Sequence, residues 1–330
     1  MENKWLTYLD EILSKYNIKY QKVNNVINSS NNNDFRLNII VDNKYVVRIN
    51  NSNVITEERL SEIDRLITRY NDIGVYVPHY IKNSSGLYSI MLEDKICYVS
   101  EYADYQLASE LDIDQEKVNK EMLVHLGILA NKYTNYDLSK TKSMWSIIDL
   151  APLDVDIDEK QENLNWLVDE LKNIDECELA NKVIEFNKSN REEILKVFNY
   201  LPRCMYQGDL NNSNILIKDD HFYGLIDFNH SGTEVNINCF LAETNRGLDE
   251  EDLNKYSAKD MLDEMIKYQN KCLEIIFKNY ELIDIEKQVF ENYRNIIFIS
   301  QYPNVCYYVD ALNKNNKNKM LELIRLIVDR

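Results

Sequence analysis

The first twenty residues place Trp5, Leu9, Ile12, Leu13 and Tyr16 at helical spacing among charges, which predicts an amphipathic helix rather than a signal peptide. The period then changes. Between Tyr20 and Asn50, apolar and polar residues alternate around an Asn/Ser-rich stretch, Asn28 to Asn33. Phe35, Leu37, Ile39 and Val41 face one way, a pattern of hairpin strands. Asp42-Asn43 is a turn signal, and Lys44 to Ile49 is a short β-branched strand. Glu57 to Tyr70 returns to helical spacing through Leu60, Ile63, Leu66 and Ile67, and ends at Asn71 to Gly74 and Pro78. Two strand-like runs follow, Tyr88 to Leu92 and Ile96 to Ser100.

From Gln115 onward helical patterns dominate. Lys117 to Tyr133 carries Val118, Met122, Leu126, Leu129 and Ala130 on one stripe, and Gln161 to Lys172 and Glu176 to Asn199 fit further helices. Residues 204 to 228 interrupt them with two short apolar strands, Ile215 to Ile217 and Tyr223 to Ile226, around the turn Lys218 to His221. Helices resume from about Ala258. The composition shifts near residue 104, so the chain is expected to divide into residues 1–104, strand-rich, and 105–330, helical with one buried hairpin, an α+β arrangement. There is no internal repeat.

Composition narrows the partners. With 45% hydrophobic and 28% charged residues the 330-residue chain is ordinary globular material. No apolar run approaches the roughly 18 residues of a membrane span, and the expected location is the cytoplasm. The six cysteines are scattered without a C-x-x-C pair and the four histidines form no ligand-spaced pair, which argues against structural zinc and a disulfide framework. A net charge of −17 argues against a phosphate-backbone partner, because nucleic-acid binders gain affinity from basic surface. The excess is uneven: residues 1 to 104 hold 12 Lys+Arg against 14 Asp+Glu, so the remainder carries −15.

The segment Gln207-Gly208-Asp209-Leu210-Asn211-Asn212-Ser213-Asn214 sets an Asp and an Asn five positions apart, before a hairpin whose second strand ends in Asp227-Phe228. Phosphoryl transfer needs a carboxylate beside the attacking hydroxyl and oxygen ligands for Mg²⁺ on the phosphates. Asp209 can accept the hydroxyl proton, while Asn214 and Asp227, at opposite ends of the hairpin, can converge on the metal. Alone, the Asp-to-Asn spacing in an Asn-rich chain could mark an Asx turn or a helix cap; the hairpin and Asp227 make it chemistry.

At these residues the chain resembles the aminoglycoside phosphotransferase and choline kinase superfamily of small-molecule kinases, whose members carry a catalytic-loop Asp, an Asn five positions on, and a hydrophobic-Asp-Phe metal motif, here Leu225 to Phe228. The resemblance implies a protein-kinase-like bilobal fold, with a small strand-rich N-lobe and a large helical C-lobe, and ATP and Mg²⁺ as cofactors. It places Arg48, at the end of the strand KYVVRI, on the α- and β-phosphates, where Arg grips two oxygens. Glu62 would orient Arg48, with Glu58 as its rival one turn earlier. Ser29 and Ser30 would lie in the phosphate-covering loop, and Ser100 and Tyr102 on the hinge that meets adenine. Gln207 departs from the usual His before Gly-Asp, Tyr133 stands where relatives often carry His, and Asn236 and Asn238 follow the metal motif in place of Asp-hydrophobic-Ala.

Two readings follow. The chain is an ATP-dependent O-phosphotransferase acting on a small-molecule hydroxyl, or a weakly catalytic pseudokinase that binds nucleotide as a regulatory module. Asp209, Asn214 and Asp227 all being present favours the first. The superfamily builds its acceptor site from the large lobe, and the corresponding segments here contain Asp154, Asp156, Asp158, Glu159, Asp249, Glu250, Glu251 and Asp252. A cleft of one sign steers ligands of the other, so a cationic acceptor, an amino sugar or amino alcohol, is expected; individual acceptor-binding residues stay unassigned.

Overall fold

In chain order the strands are β1 (Val23–Asn28), β2 (Arg36–Val41), β3 (Tyr45–Asn50), β4 (Tyr80–Ile81), β5 (Ser89–Leu92), β6 (Lys95–Glu101), β7 (Gln106–Leu107), β8 (Arg203–Tyr206), β9 (Ile215–Lys218), β10 (His221–Leu225) and β11 (Gly232–Val235). The helices are α1 (Glu2–Lys15), α2 (Glu57–Asp72), α3 (Gln115–Tyr133), α4 (Glu159–Asn173), α5 (Cys177–Val197), α6 (Asn236–Glu243), α7 (Glu250–Lys255), α8 (Ala258–Phe277), α9 (Asp284–Ser300), α10 (Tyr302–Leu312) and α11 (Lys317–Val328). These come from a computed structural model, which describes residues 2–31, 34–314 and 316–330. Asn32 and Asn33, at the end of the Asn28 to Asn33 stretch, lie outside the described residues. Two compact units emerge. The first comprises Met1–Val118 with Asp209–Asn229, the second Asn119–Gly208 with His230–Arg330.

In the first unit, β1-β2-β3-β6-β4 form one antiparallel sheet to which β5 adds by pairing with β6. Alternation along β2, β3 and β6 gives this sheet two unlike faces. One presents Leu37, Ile39, Val41, Val47, Ile49, Cys97 and Val99, all but inaccessible; α1 packs Trp5, Leu9, Ile12 and Leu13 onto it, joined by Tyr16 just past its end. On the other face the register sets Arg36 opposite Asn50, Asn38 opposite Arg48, Arg48 opposite Tyr98, and Ser100 opposite Tyr80.

Helix α2 starts because the Thr56 hydroxyl accepts from the Arg59 N–H at 3.1 Å, with Glu57 and Glu58 in the first turn. It stops at Gly74, whose φ of +86° lets the chain reverse. The chain then runs beside the distant hairpin: Tyr76 N–H donates to the Tyr223 carbonyl at 3.0 Å, and Leu225 N–H donates to the Tyr76 carbonyl at 2.9 Å. Gly224 is required at that crossing, since a Cβ there would stand 2.1 Å from the Tyr76 oxygen.

The second unit is mostly helical. Leucines and isoleucines of α4, α5, α8, α9, α10 and α11 share one core that includes Leu167, Val183, Met265, Tyr308 and Ile324. Asp158 caps α4 through the Gln161 N–H and takes both arms of Arg191, at 2.6 and 2.8 Å. Burial pushes the Asp158 carboxyl up, but the Arg191 guanidinium and the Ile148 and Gln161 N–H groups outweigh it and hold it below its ordinary value. Among the described residues, no helix is long and apolar enough to cross a membrane.

Candidate active site

The β9–β10 hairpin brings the predicted trio together. Leu225 pairs with Ile215, and Ile226 N–H donates to the Asn214 carbonyl at 2.9 Å, so Asn214 and the Asp227 turn sit side by side at the open end of the hairpin. The Asn214 amide then reaches back: its Nδ2 donates to the Asp209 carbonyl and to Asp209 Oδ2, each at 2.9 Å. The other carboxylate oxygen, Oδ1, accepts from Asn211 Nδ2 at 2.7 Å. Two amides thus fix the orientation of the Asp209 carboxylate. Asn211 was not singled out from the sequence; its signal was there, an Asx turn in which its Oδ1 accepts the Ser213 N–H at 2.9 Å.

Asp227 is held differently. Its φ of +54° lies in the left-handed region, where a side chain other than glycine is strained. Its Oδ1 accepts the Asn229 N–H at 3.2 Å, closing the turn. Phe228 is buried with its ring edge-on to Tyr70 of α2, centroids 5.6 Å apart.

The polar face of the sheet belongs to the same unit. Arg48 Nη1 donates to the Ser100 hydroxyl, which in turn donates to the Glu101 carbonyl at 3.0 Å. Burial pushes the pKa values of the Tyr80 and Tyr98 phenols up; both also feel Arg48, which opposes the rise, and Asp227, which adds to it. Arg48 and Asp227 therefore bear on the same two hydroxyls. Glu62 is buried while Glu58 is exposed, and the Glu62 carboxylate lies 3.8 Å from Arg59 Nη1. Ser30 N–H donates to Asn28 Oδ1 at 3.0 Å, its hydroxyl accepts the Arg36 N–H at 2.9 Å, and Ser29 N–H donates to the Arg36 carbonyl at 3.0 Å, knitting the start of the β1–β2 connection to β2.

Past β6, Tyr102 N–H is committed to the Lys44 carbonyl at 2.7 Å. Ala103 N–H, one residue on, has no hydrogen-bond partner among the described residues. It is an open donor of the segment, and an alanine offered no side-chain chemistry by which the sequence could mark it.

In the second unit, Gln207 is buried and Gly208 turns with φ +82°, its carbonyl accepting from Trp145 Nε1. The Trp145 and His230 rings stack at 6.3 Å. Glu234 is buried, its carboxyl pushed above the usual range by that burial despite the hydroxyls of Ser146 at 2.8 Å and Ser143 at 3.0 Å. Most of the acidic residues expected on an acceptor rim have internal partners. Asp158 holds Arg191, Asp154 accepts the Ala151 N–H at 2.7 Å, Asp249 and Asp252 cap α7, Asp252 pairs with Arg246 at 2.7 Å, Glu159 with Lys160 at 3.2 Å and Glu250 with Lys314 at 3.3 Å. Asp156 and Glu251 make no such contact among the described residues.

No group of three or more His, Cys, Asp or Glu side chains among the described residues could hold a metal unaided. The donor set nevertheless suits Mg²⁺ on a nucleotide. With the Asn214 Nδ2 turned to Asp209, its Oδ1 is the end left for a cation, and the Asp227 carboxylate beside it is exposed. One amide oxygen and one carboxylate are the hard ligands Mg²⁺ takes from protein when phosphates and waters complete its shell.

Residues 25–234 match the sequence profile of the phosphotransferase enzyme family. Among solved structures the chain is similar to a spectinomycin phosphotransferase in complex with ADP and spectinomycin, at 12% identity and a TM-score of 0.54, covering 99% of this chain and 96% of that one. It is likewise similar to an amicoumacin kinase in complex with AMP-PNP, Ca²⁺ and Ami, at 13% identity and a TM-score of 0.54, covering 99% of this chain and 93% of that one. At such identities the likeness speaks to the fold, which is the bilobal kinase-like α+β fold. No curated protein matches the sequence.

Proposed function

Since the chain belongs to the phosphotransferase enzyme family, we propose that it is a small-molecule kinase that moves the γ-phosphoryl group of ATP to a hydroxyl, with Asp209 as the base. The observation that carries this reading is the placement of the trio: Asn214 hydrogen-bonds Asp209 while its carbonyl accepts from Ile226 N–H, beside the Asp227 turn. Asp209 receives the hydroxyl proton as the oxygen attacks phosphorus, and the amides of Asn211 and Asn214 keep its carboxylate aimed. Asn214 Oδ1 and Asp227 hold Mg²⁺, which when bound neutralises charge on the phosphates. Arg48, steadied by Ser100, draws the α- and β-phosphates to the polar face, with Ser29 and Ser30 covering them, while Glu62 faces Arg59 instead of Arg48. The open Ala103 N–H, just after Ser100 and Tyr102 in the chain, meets the adenine edge.

The acceptor is a cationic amino sugar or amino alcohol in this proposal. Its support is the charge of −17 and the exposed Asp156 and Glu251, a smaller set than the sequence offered. Steering of a cation makes kcat/KM for the acceptor fall as ionic strength rises while the ATP parameters hold; a neutral alcohol as best substrate, with salt-insensitive kinetics, refutes the charge and leaves the kinase.

Asp209→Asn tests the function. The expected result is a loss of kcat by about 10³-fold with nucleotide affinity nearly intact, measured by coupled ADP release over a panel of amino sugars and amino alcohols and by calorimetry. Nucleotide binding without turnover of any acceptor by the wild type favours the pseudokinase reading.

A further inference from the structure

The strained turn at Asp227 has two supports reaching it from α2. Tyr70 sets its ring against Phe228, and Arg59, buried at the first turn of the helix, donates from Nη2 to the Asn229 carbonyl at 3.3 Å. Arg59 also turns Nη1 toward Glu62 at 3.8 Å. The turn Asp227-Phe228-Asn229 is therefore closed from inside by Asn229 N–H on Asp227 Oδ1, and pinned from outside at the carbonyl of the same Asn229. At φ +54° Asp227 sits in the left-handed region that favours glycine, so the contacts around the turn help to keep it there. A long cationic side chain buried to only 5% exposure loses hydration, and the gain it finds here is a charge-assisted bond to one backbone oxygen and a carboxylate within reach.

Resting on the kinase reading above, we propose that Arg59 is a positioning residue that holds the Asp227 carboxylate in its metal-facing turn by bridging Glu62 on α2 to the Asn229 carbonyl. Arg59 touches neither nucleotide nor acceptor. It makes the geometry of α2 and that of the metal ligand one unit: the helix that carries Glu62 cannot shift without moving the carbonyl that fixes Asp227. The effect is confined to the metal-dependent part of nucleotide binding, because Arg48 and the Ala103 N–H need no help from this turn.

Calorimetric titration of ADP with and without Mg²⁺, on wild type, Arg59→Met and Arg59→Lys, separates the possibilities. Arg59→Met is expected to keep the metal-free affinity within about twofold of wild type while the gain in affinity on adding Mg²⁺ drops by about tenfold. Arg59→Lys, which can reach the carbonyl but lacks the second arm for Glu62, is expected to recover part of that gain. If Arg59→Met fails to fold, the lysine variant alone decides, with a drop of about threefold expected. A Mg²⁺ gain equal to wild type in both variants, or an equal loss with and without metal, overturns the proposal and leaves the kinase reading intact. Absence of any Mg²⁺ gain in the wild type overturns the metal role of Asp227 first, and this inference with it.

Discussion

The two faces of the six-stranded sheet are built by the same strands, one residue out of phase, and they do opposite work. The α1-covered face is dry: Leu37, Val47, Ile49, Cys97 and Val99 have almost no accessible surface. One position along, Arg36, Asn38, Arg48, Asn50, Ser100 and Tyr98 line the other face, and several of them hydrogen-bond or act electrostatically on one another. The period of two in a strand lets stability and ligand chemistry be written into alternate letters of one sequence. A one-residue slip of register would exchange them wholesale, so the apolar face also guarantees which way Arg48 points.

The largest effect should come from violating the dry face. Val47→Asp buries a carboxylate with no partner and is expected to cost about 4 kcal/mol or more, read as the shift of the urea midpoint. Its neighbour Arg48→Met should leave that midpoint within about 0.5 kcal/mol while weakening ATP binding about 30-fold, since on the proposed function the lost charge is one that meets phosphate. A large stability loss in Arg48→Met would mean that the polar face is structural after all. Cys97 gives a pH test of the dry face: burial pushes its thiol up from the ordinary 9 to about 12. Because the folded value is the higher one, this contribution to stability is complete below pH 9 and is lost as pH rises toward 12. Wild type is expected to lose on the order of 1 kcal/mol to it by pH 10, and Cys97→Ala to lack that part of the alkaline decline. The smallest effect belongs to Ser100→Ala, which frees Arg48 from one hydroxyl and should raise the ATP dissociation constant about threefold with the midpoint unchanged.

Much of this was legible before any coordinates. The alternation from Phe35 to Val41 and in Lys44 to Ile49 fixed the strands and their dry face, and helical spacing placed α1 and α2. The Asp209, Asn214 and Asp227 spacing identified the hairpin whose strands do bring those residues together. What stayed hidden is tertiary. Nothing local to Ser100 says that its hydroxyl meets Arg48, nor to Arg59 that it crosses to a carbonyl 170 residues later. Glu58 and Glu62 share one helical stripe, and only the packing of α2 exposes one and buries the other. The acidic residues counted as a rim were read by charge alone, whereas the fold occupies most of them as helix caps and ion-pair partners.

The bond between Tyr76 and the Gly224 strand has a consequence in time. The ribosome makes Tyr76 long before Gly224, and at synthesis rates of about 5–20 residues per second the Tyr76 N–H and carbonyl wait on the order of ten seconds or more for their partners. During that interval the Tyr76 N–H and carbonyl lack their hairpin partners, and unpaired backbone of this kind is what recruits stray strands. The pairing that closes this stretch of backbone is also the one that brings in the hairpin bearing Asn214 and Asp227.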